Sequence, residues 1–344
     1  MTTTPTRQDL LRIVDRMAGV RVLVVADLVL DEFEYGRIGR ISREAPVLIL
    51  DHLRTDRLPG GGANAVRNLC ALGGRPVVVG RLGADEAGDR LAGLLAEAGA
   101  DVEGVWRESG YATPVKRRVL AGSAHSVKQQ VVRIDRGGGA PFAEGMALGR
   151  RVAEHAAGTA GTLVSDYSLG LLHPGSIPAV VAATGAPSRP LFVDSRSQLR
   201  LFRGITAATP NLQEAETLAG SDLGDDVARL DAGAGRLRDA LDADAVVVTL
   251  GSHGMLVRTR TGGSARIPVY GTDEVADVTG AGDTVIATLA LASLSGAGFL
   301  EAALLANYAG GIVVMKRGTA TVTPDELRAA VRIDPDFESR LGPR

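Results

Sequence analysis

The sequence predicts an α/β fold built on a central, mostly parallel sheet, with a small β lid inserted in it. Three observations predict it. Continuous apolar, β-branched runs at 21–26 (RVLVVA), 162–165, 191–193 and 245–250 alternate with segments of helical periodicity, as strands buried on both faces do. Three of these runs end in a carboxylate, Asp27, Asp166 or Asp194, where open parallel sheets bind their ligands. Two more polar stretches, about 33–58 and 112–135, break that rhythm and read as a small separate sheet.

Bulk properties narrow the function. The 344 residues show no tandem repeat, low-complexity tract or long linker, so 1–344 is read as one domain. A net charge of -2 argues against a polyanion-binding surface, and 3% aromatic residues argue against base stacking, so no nucleic acid partner is expected. The single cysteine, Cys70, excludes a disulfide framework and reads as a structural thiol. The first twenty residues carry Asp9 and Asp15 and no continuous apolar core, unlike a signal peptide. No run approaches the ~20 apolar residues of a membrane span, so a soluble, cytoplasmic protein is expected.

Taken in order, Leu10, Leu11, Val14 and Met17 mark an amphipathic helix at 7–18. After the 21–26 strand, Asp27 and Asp31 either hold substrate or cap the next turn. Within 33–58 only 47–50 reads as a brief strand. Gly60-Gly61-Gly62-Ala63-Asn64 leads into a helix with Val66, Leu69, Cys70 and Leu72 on one face. It is either a flexible turn or a loop that lets a ligand approach, with Asn64 able to pair with a hydroxyl. Strands at 77–80 and 102–106 flank a helix at 86–98. The strands at 115–120 and 129–134 form the other half of the lid. Strand alternation puts Lys116 and Arg118 on one side of it and Arg117 on the other, as solvated charges or as cationic contacts to a sugar phosphate.

Helices follow at 145–157 and 177–183. In Thr209-Pro210-Asn211-Leu212-Gln213-Glu214, Asn211 and Glu214 stand three apart. They suit either a helix cap or the outer shell of a Mg²⁺ that keeps its waters. The turn Gly251-Ser252-His253-Gly254 could lie over a nucleotide. The helices at 299–315 and 324–331 complete the core, and the tail after Ile333 is expected to fray. His52, His125, His155, His173 and His253 show no metal-ligand spacing, and no GxxxxGK[ST] P-loop occurs.

The chemistry converges on Asp277-Val278-Thr279-Gly280-Ala281-Gly282-Asp283, which opens an apolar helix running to Leu294. Gly280, Ala281 and Gly282 leave backbone amides uncovered at a helix N-terminus, where an anion can sit. Asp283 is placed to accept a proton from an attacking hydroxyl. The plainer alternative is a Gly-rich helix cap with a solvated Asp.

That stretch resembles the C-terminal signature of the ribokinase (PfkB) family of carbohydrate kinases, and Gly61-Gly62 with Asn64 resembles its N-terminal one. The likeness runs over about 18–332. Within the family the chain looks most like the heptose-phosphate kinases of bacterial ADP-heptose synthesis. The matching pieces are Asp27-Leu28-Val29-Leu30-Asp31 with Tyr35-Gly36, Arg40-Ile41-Ser42-Arg43-Glu44-Ala45-Pro46-Val47 and Leu163-Val164-Ser165-Asp166-Tyr167. Thr209-Pro210-Asn211-Leu212-Gln213-Glu214 and Lys316-Arg317-Gly318-Thr319-Ala320-Thr321-Val322 extend the match.

The resemblance implies a ribokinase-like three-layer sandwich, a β lid that forms a homodimer contact, and ATP-dependent phosphorylation of a sugar hydroxyl. Asp283 would be the base, with Gly280, Ala281 and Gly282 as anion hole. Asp27, Asp31, Gly61, Gly62, Asn64 and Asp166 would hold the sugar, with Lys116 and Arg118 on its phosphate. Arg196, Thr249, Gly251, Gly254 and Asn307 would line the ATP site. Asn211 and Glu214 would order Mg²⁺, and Asp277 and Thr279 match positions that help bind a monovalent cation such as K⁺ in some members. Three features depart from the heptose kinases: Leu169 and Arg196 stand where they carry lysines, and the 121–128 loop looks longer. No second, nucleotidyltransferase-like domain follows, so a bifunctional enzyme is not expected.

Overall fold

The structure is a computed structural model that describes residues 4–122, 128–224, 226–261, 263–271, 276–316 and 318–341. Most of the 121–128 loop, with His125, and Arg317 of the C-terminal motif lie outside the described residues.

Period-two burial builds the main sheet. Along the strand Arg21–Ala26, Val22, Val24 and Ala26 enter one apolar cluster, while Leu23 and Val25 enter another on the opposite face. A strand that is apolar on both sides must be covered on both sides. The first face is covered by the helices Arg7–Arg16, Gly62–Ala71, Ala281–Leu294, Phe299–Val314 and Pro324–Ile333. The second is covered by Gly145–Ala156, Ile177–Thr184, Leu212–Ala219 and Val227–Leu241. The expected three-layer sandwich results. Among the described residues, no helix is long and apolar enough to cross a membrane.

The sheet has nine strands among the described residues. From one edge they run Ser264–Ile267, Met255–Thr259, Ala245–Thr249, Ala207–Ala208, Leu191–Ser195, Gly161–Asp166, Arg21–Ala26, Arg75–Gly83 and Val105–Glu108. Pairing is parallel throughout, except that Met255–Thr259 is antiparallel to both of its neighbours. The strand expected at 102–106 forms three residues later, as Val105–Glu108.

The lid differs from its expected form. The strands Leu28–Ile41 and Leu48–Gly61 pair antiparallel along their length, from Leu28 opposite Gly61 to Ile41 opposite Leu48. Val115–Gly122 lies parallel to Leu28–Ile41, and Gln129–Arg136 closes the sheet. The brief strand read at 47–50 lies, from Leu48, in one long strand that also takes in Gly60 and Gly61 of the loop read at 60–64, while Gly62 already opens the next helix. The polar sequence of that strand hid it, because a sheet with solvated faces gives no hydrophobic alternation to read. One residue, Asp27, joins the central strand to the lid, and the chain returns where the Gly62 amide donates to the Asp27 carbonyl (3.0 Å). A Cβ on Gly62 would lie 2.6 Å from Ala26 Cβ and 2.9 Å from that carbonyl oxygen, so only glycine fits. The lid is thus hinged at the C-terminal edge of the main sheet.

The tail does not fray as expected. Phe337–Arg340 forms a short helix, and Phe337 is buried. Asp334 accepts hydrogen bonds from Arg340 Nε (2.7 Å) and the Tyr308 hydroxyl (2.6 Å). Phe337→Ala should therefore lower the unfolding free energy by about 3–5 kcal/mol in a urea titration, the usual loss for a buried aromatic. A change below about 1 kcal/mol would mean that the tail is not part of the core.

Candidate active site

The helix Ala281–Leu294 is apolar all round, and ten of its residues are buried, so packing fixes its axis and its N-terminus. Gly280 caps it in the left-handed region, φ +82°. A Cβ there would meet Asn64 Nδ2 at 2.5 Å, so glycine lets Asn64 close on the helix start. A Cβ on Gly282 would meet nothing within 4 Å. The first-turn amides are therefore open to an anion.

Asp283, 3% exposed, lies at this helix start. Its Oδ2 accepts from Asn64 Nδ2 (2.9 Å) and its Oδ1 from the Tyr167 hydroxyl (2.7 Å). Burial pushes its carboxyl up to about 6; Asn64 and Tyr167 pull it back, Asp31 adds to the rise, and Lys116 opposes it. A carboxylate that titrates near 6 is mostly ionised at neutral pH and still basic enough to take a proton.

The lid contributes the charges above it. Arg118 Nη1 donates to Asp31 Oδ1 (2.7 Å), and Lys116 Nζ lies 4.8 Å from the centroid of the Tyr167 ring. Burial, with Arg196 next, depresses the Lys116 ammonium. Arg117, one residue on, points the other way and pairs with Glu32 (2.8 Å), as alternation requires. Arg196 also lies over Tyr167, its Cζ 4.9 Å from the centroid.

Asn211 and Glu214 form a reciprocal capping box on Leu212–Ala219: Asn211 Oδ1 accepts from the Glu214 amide (2.9 Å), and Glu214 Oε2 from the Asn211 amide (3.0 Å). Burial raises the Glu214 carboxyl. Asp194 is driven well above the usual carboxylate range by burial, then by Asp283, Glu214 and Asp166. Asp194 thus feels both Glu214 and Asp283, with Arg196 opposing them, and among the described residues no three acidic, His or Cys side chains gather closely enough to hold a metal ion.

Several residues expected to hold ligands have other partners. Asp27 Oδ2 accepts from the Tyr167 and Leu169 amides (both 2.9 Å) and Oδ1 from Leu171 (3.4 Å), so it shapes the loop after the neighbouring strand. Asp166 accepts from the Ser168 amide (2.8 Å) and Ser195 Oγ (2.6 Å). Asn64 donates to Asp283, and Gly61 and Gly62 serve the lid hinge. Asn307 donates to the Pro268 carbonyl (2.6 Å) and accepts from the Tyr270 amide (3.0 Å). Gly254 packs against the Ile267 carbonyl, while Gly251 stays exposed in a left-handed turn after Thr249. Asp277 accepts from Thr279 (2.9 Å) and Gly318 (3.2 Å), which ties the turn to the 318 loop. Sequence reasoning assigned no role to Tyr167, the first residue after the strand Gly161–Asp166, and noted Asp194 only as one of the strand-end carboxylates.

Residues 178–326 match the family described as pfkB family carbohydrate kinase. The chain is 41% identical over 311 residues to the Bifunctional protein HldE of Geobacter metallireducens, a match covering 90% of this chain and 62% of that protein. It is 37% identical over 341 residues to the HldE of Geotalea uraniireducens, covering 97% and 68%. The chain belongs to the pfkB family of carbohydrate kinases. It spans less than two thirds of the first of those relatives. Phosphofructokinase-2 from Escherichia coli, in complex with substrates and products, shares the fold with a TM-score of 0.74 at 21% identity, over 91% of this chain and 99% of that one.

Burying the Asp283 carboxyl carries a cost in stability. The Asp283 carboxyl sits at about 6 in the fold, against about 3.9 in an unfolded chain. Between those values the fold holds a proton that the unfolded chain has released. Stability from this group is therefore full below pH ~4 and is lost as pH rises through 6, by up to about 3 kcal/mol. Asp283→Asn should accordingly raise Tm at pH 8 relative to the parent, with the gap closing toward pH 4. Calorimetry at both pH values checks this, and a variant that melts lower at pH 8 would contradict it.

Proposed function

We propose that this kinase transfers the terminal phosphoryl group of ATP to a hydroxyl of a sugar phosphate, with the 1-hydroxyl of D-glycero-D-manno-heptose 7-phosphate as acceptor. The strongest support is Asp283, a buried carboxylate near pH 6 beside open helix amides and under a lid that carries a half-buried lysine. Asp283 takes the proton of the acceptor hydroxyl as that oxygen bonds to the terminal phosphorus and the bond to ADP breaks. Amides at the start of the Ala281–Leu294 helix face the charge on the phosphoryl group in transfer. Lys116, with Arg118, meets the phosphate already on the sugar. A regulator that only binds sugar or nucleotide would have no use for a base beside an anion hole.

Asp194 and Glu214 would offer hard carboxylate oxygens to Mg²⁺, with Arg196 as the cation that partly offsets them. When bound, Mg²⁺ would neutralise phosphate oxygens. Asp277 and Thr279 would line a K⁺ site. The Thr319 hydroxyl, buried near Gly280 with no hydrogen-bond partner among the described residues, is a further candidate oxygen for it. Ile38, Ile41, Leu48, Leu53, Val132 and Ile134 are large apolar residues exposed on the lid, which supports a homodimer formed there. A second reading, another sugar phosphate as acceptor, is favoured by Leu169 and Arg196 at the two positions where the heptose kinases carry lysines.

ADP release across heptose, hexose and pentose acceptors, with and without a phosphate, tests the reading. The heptose phosphate should give the highest kcat/KM, and Asp283→Asn should lower kcat by about 10²–10⁴. Lys116→Ala should raise KM for the sugar phosphate about 10- to 100-fold and leave KM for ATP alone, as for a lost bond to a charged group. Preference for an unphosphorylated sugar, with Lys116→Ala silent, would remove the heptose phosphate and leave the kinase. In a separate titration, Glu214→Gln should raise the Mg²⁺ concentration for half-maximal rate; an unchanged curve would leave Glu214 as a helix cap only.

A further inference from the structure

We infer that Tyr167 is the positioning residue of this site, holding the Asp283 carboxylate oriented and ionised, and that Asp27 holds Tyr167 in place. The inference rests on the reading of Asp283 as the base. Tyr167 is the first residue after the strand Gly161–Asp166, and its hydroxyl donates to Asp283 Oδ1 (2.7 Å). Asn64 occupies the other oxygen, so both are fixed, while a carboxylate has lone pairs enough to accept the acceptor hydroxyl as well. Burial, then the charge of Asp283, pushes the phenol well above its usual range, so Tyr167 remains a donor at every working pH.

The loop that carries Tyr167 is built to hold it. Ser168, the next residue, has φ +57°, a left-handed conformation that a serine rarely adopts. Such backbone persists only where the surroundings over-determine it. Here Asp27 takes the amides of Tyr167, Leu169 and Leu171, and Asp166 takes that of Ser168. Four amides in five residues are thus set by two carboxylates from adjacent strands of the main sheet. Above the ring lie Lys116 from the lid and Arg196 from the loop after Leu191–Ser195, which hold its plane by cation–π attraction. Asp283 also feels Asp31 and Lys116 from the lid and Asp194 from the neighbouring strand. Any shift must therefore be measured on Asp283 itself.

Carboxyl ¹³C NMR on the unliganded full chain, labelled at the aspartate side chains, does this, because the resonance missing in Asp283→Asn identifies the base. In Tyr167→Phe, which keeps the ring, the Asp283 midpoint should rise by about one pH unit, since a bond to the charged form is lost. The acidic limb of kcat/KM should rise with it. Asp27→Asn should move the midpoint in the same direction, and the double variant no further than Tyr167→Phe alone. An unchanged midpoint in Tyr167→Phe would overturn the inference, and a larger shift in the double variant would overturn the link through Asp27. If Asp27→Asn does not fold, Tyr167→Phe decides alone. The titration needs no substrate, so a lack of kinase activity in the parent would sink the proposed function and leave this result standing.

Discussion

One buried carboxylate, reached by two donors from distant parts of the chain, sets the terms for this fold. Burial disfavours the charge on Asp283, and the charge survives only because two donors reach it. Asn64 comes from 219 residues away in the chain and Tyr167 from 116. Three helix and strand ends must therefore meet within hydrogen-bond distance, and the core is arranged so that they do. The Gly62–Ala71 helix packs beside Ala281–Leu294, and both lie on the same face of the sheet. Gly280 gives up its side chain to let Asn64 in, and Gly62 gives up its own to let the lid turn. These two glycines are sterically required by the site, not ornaments of a loop.

Three neighbouring strands end in aspartates, and the structure divides their labour. Asp27 and Asp166 accept backbone amides, so their oxygens are occupied and they hold loops in place; burial still pushes the Asp27 carboxyl up to about 7, with the Leu169 amide pulling it back. Asp194 is raised first by burial and then by the charges of Asp283, Glu214 and Asp166, with Arg196 opposing them. A carboxylate at a strand end can hold a loop or stand among other charges. What decides is whether the following loop turns its amides back toward it.

That decision explains what the sequence could and could not reveal. Buried strands and amphipathic helices were readable because core contact imposes periods of two and 3.6. The helix start at Gly280–Asp283 was readable because a glycine-rich turn runs straight into a long apolar stretch. The long lid strands were not, since both their faces meet water or charge. Nor was the docked tail, whose Phe337 is a lone aromatic in a polar stretch. Asn211 and Glu214 carried two meanings in sequence, and the cap is visible in the fold while the metal role is not. Tyr167 was missed because a single tyrosine after an aspartate says nothing about a partner 116 residues on.

The lid shows how alternation can sort charge by function. Its strand Val115–Gly122 turns Arg117 outward to a nearly buried Glu32 and turns Lys116 and Arg118 inward. On the inner face Arg118 is matched by Asp31 and Arg133 by Asp135. Lys116 has no such match: among the described residues no carboxylate bonds it, and its ammonium rests against the Tyr167 ring in a partly desolvated place. A cation–π contact is worth about 0.5–2 kcal/mol, and a bond to a charged group about 1.5–3. A dianionic phosphate entering under the lid therefore offers Lys116 more than the ring does. The same move would draw the lid strand toward the sheet edge where Asp283 waits, so the charge that recognises the substrate would also help close the site over it.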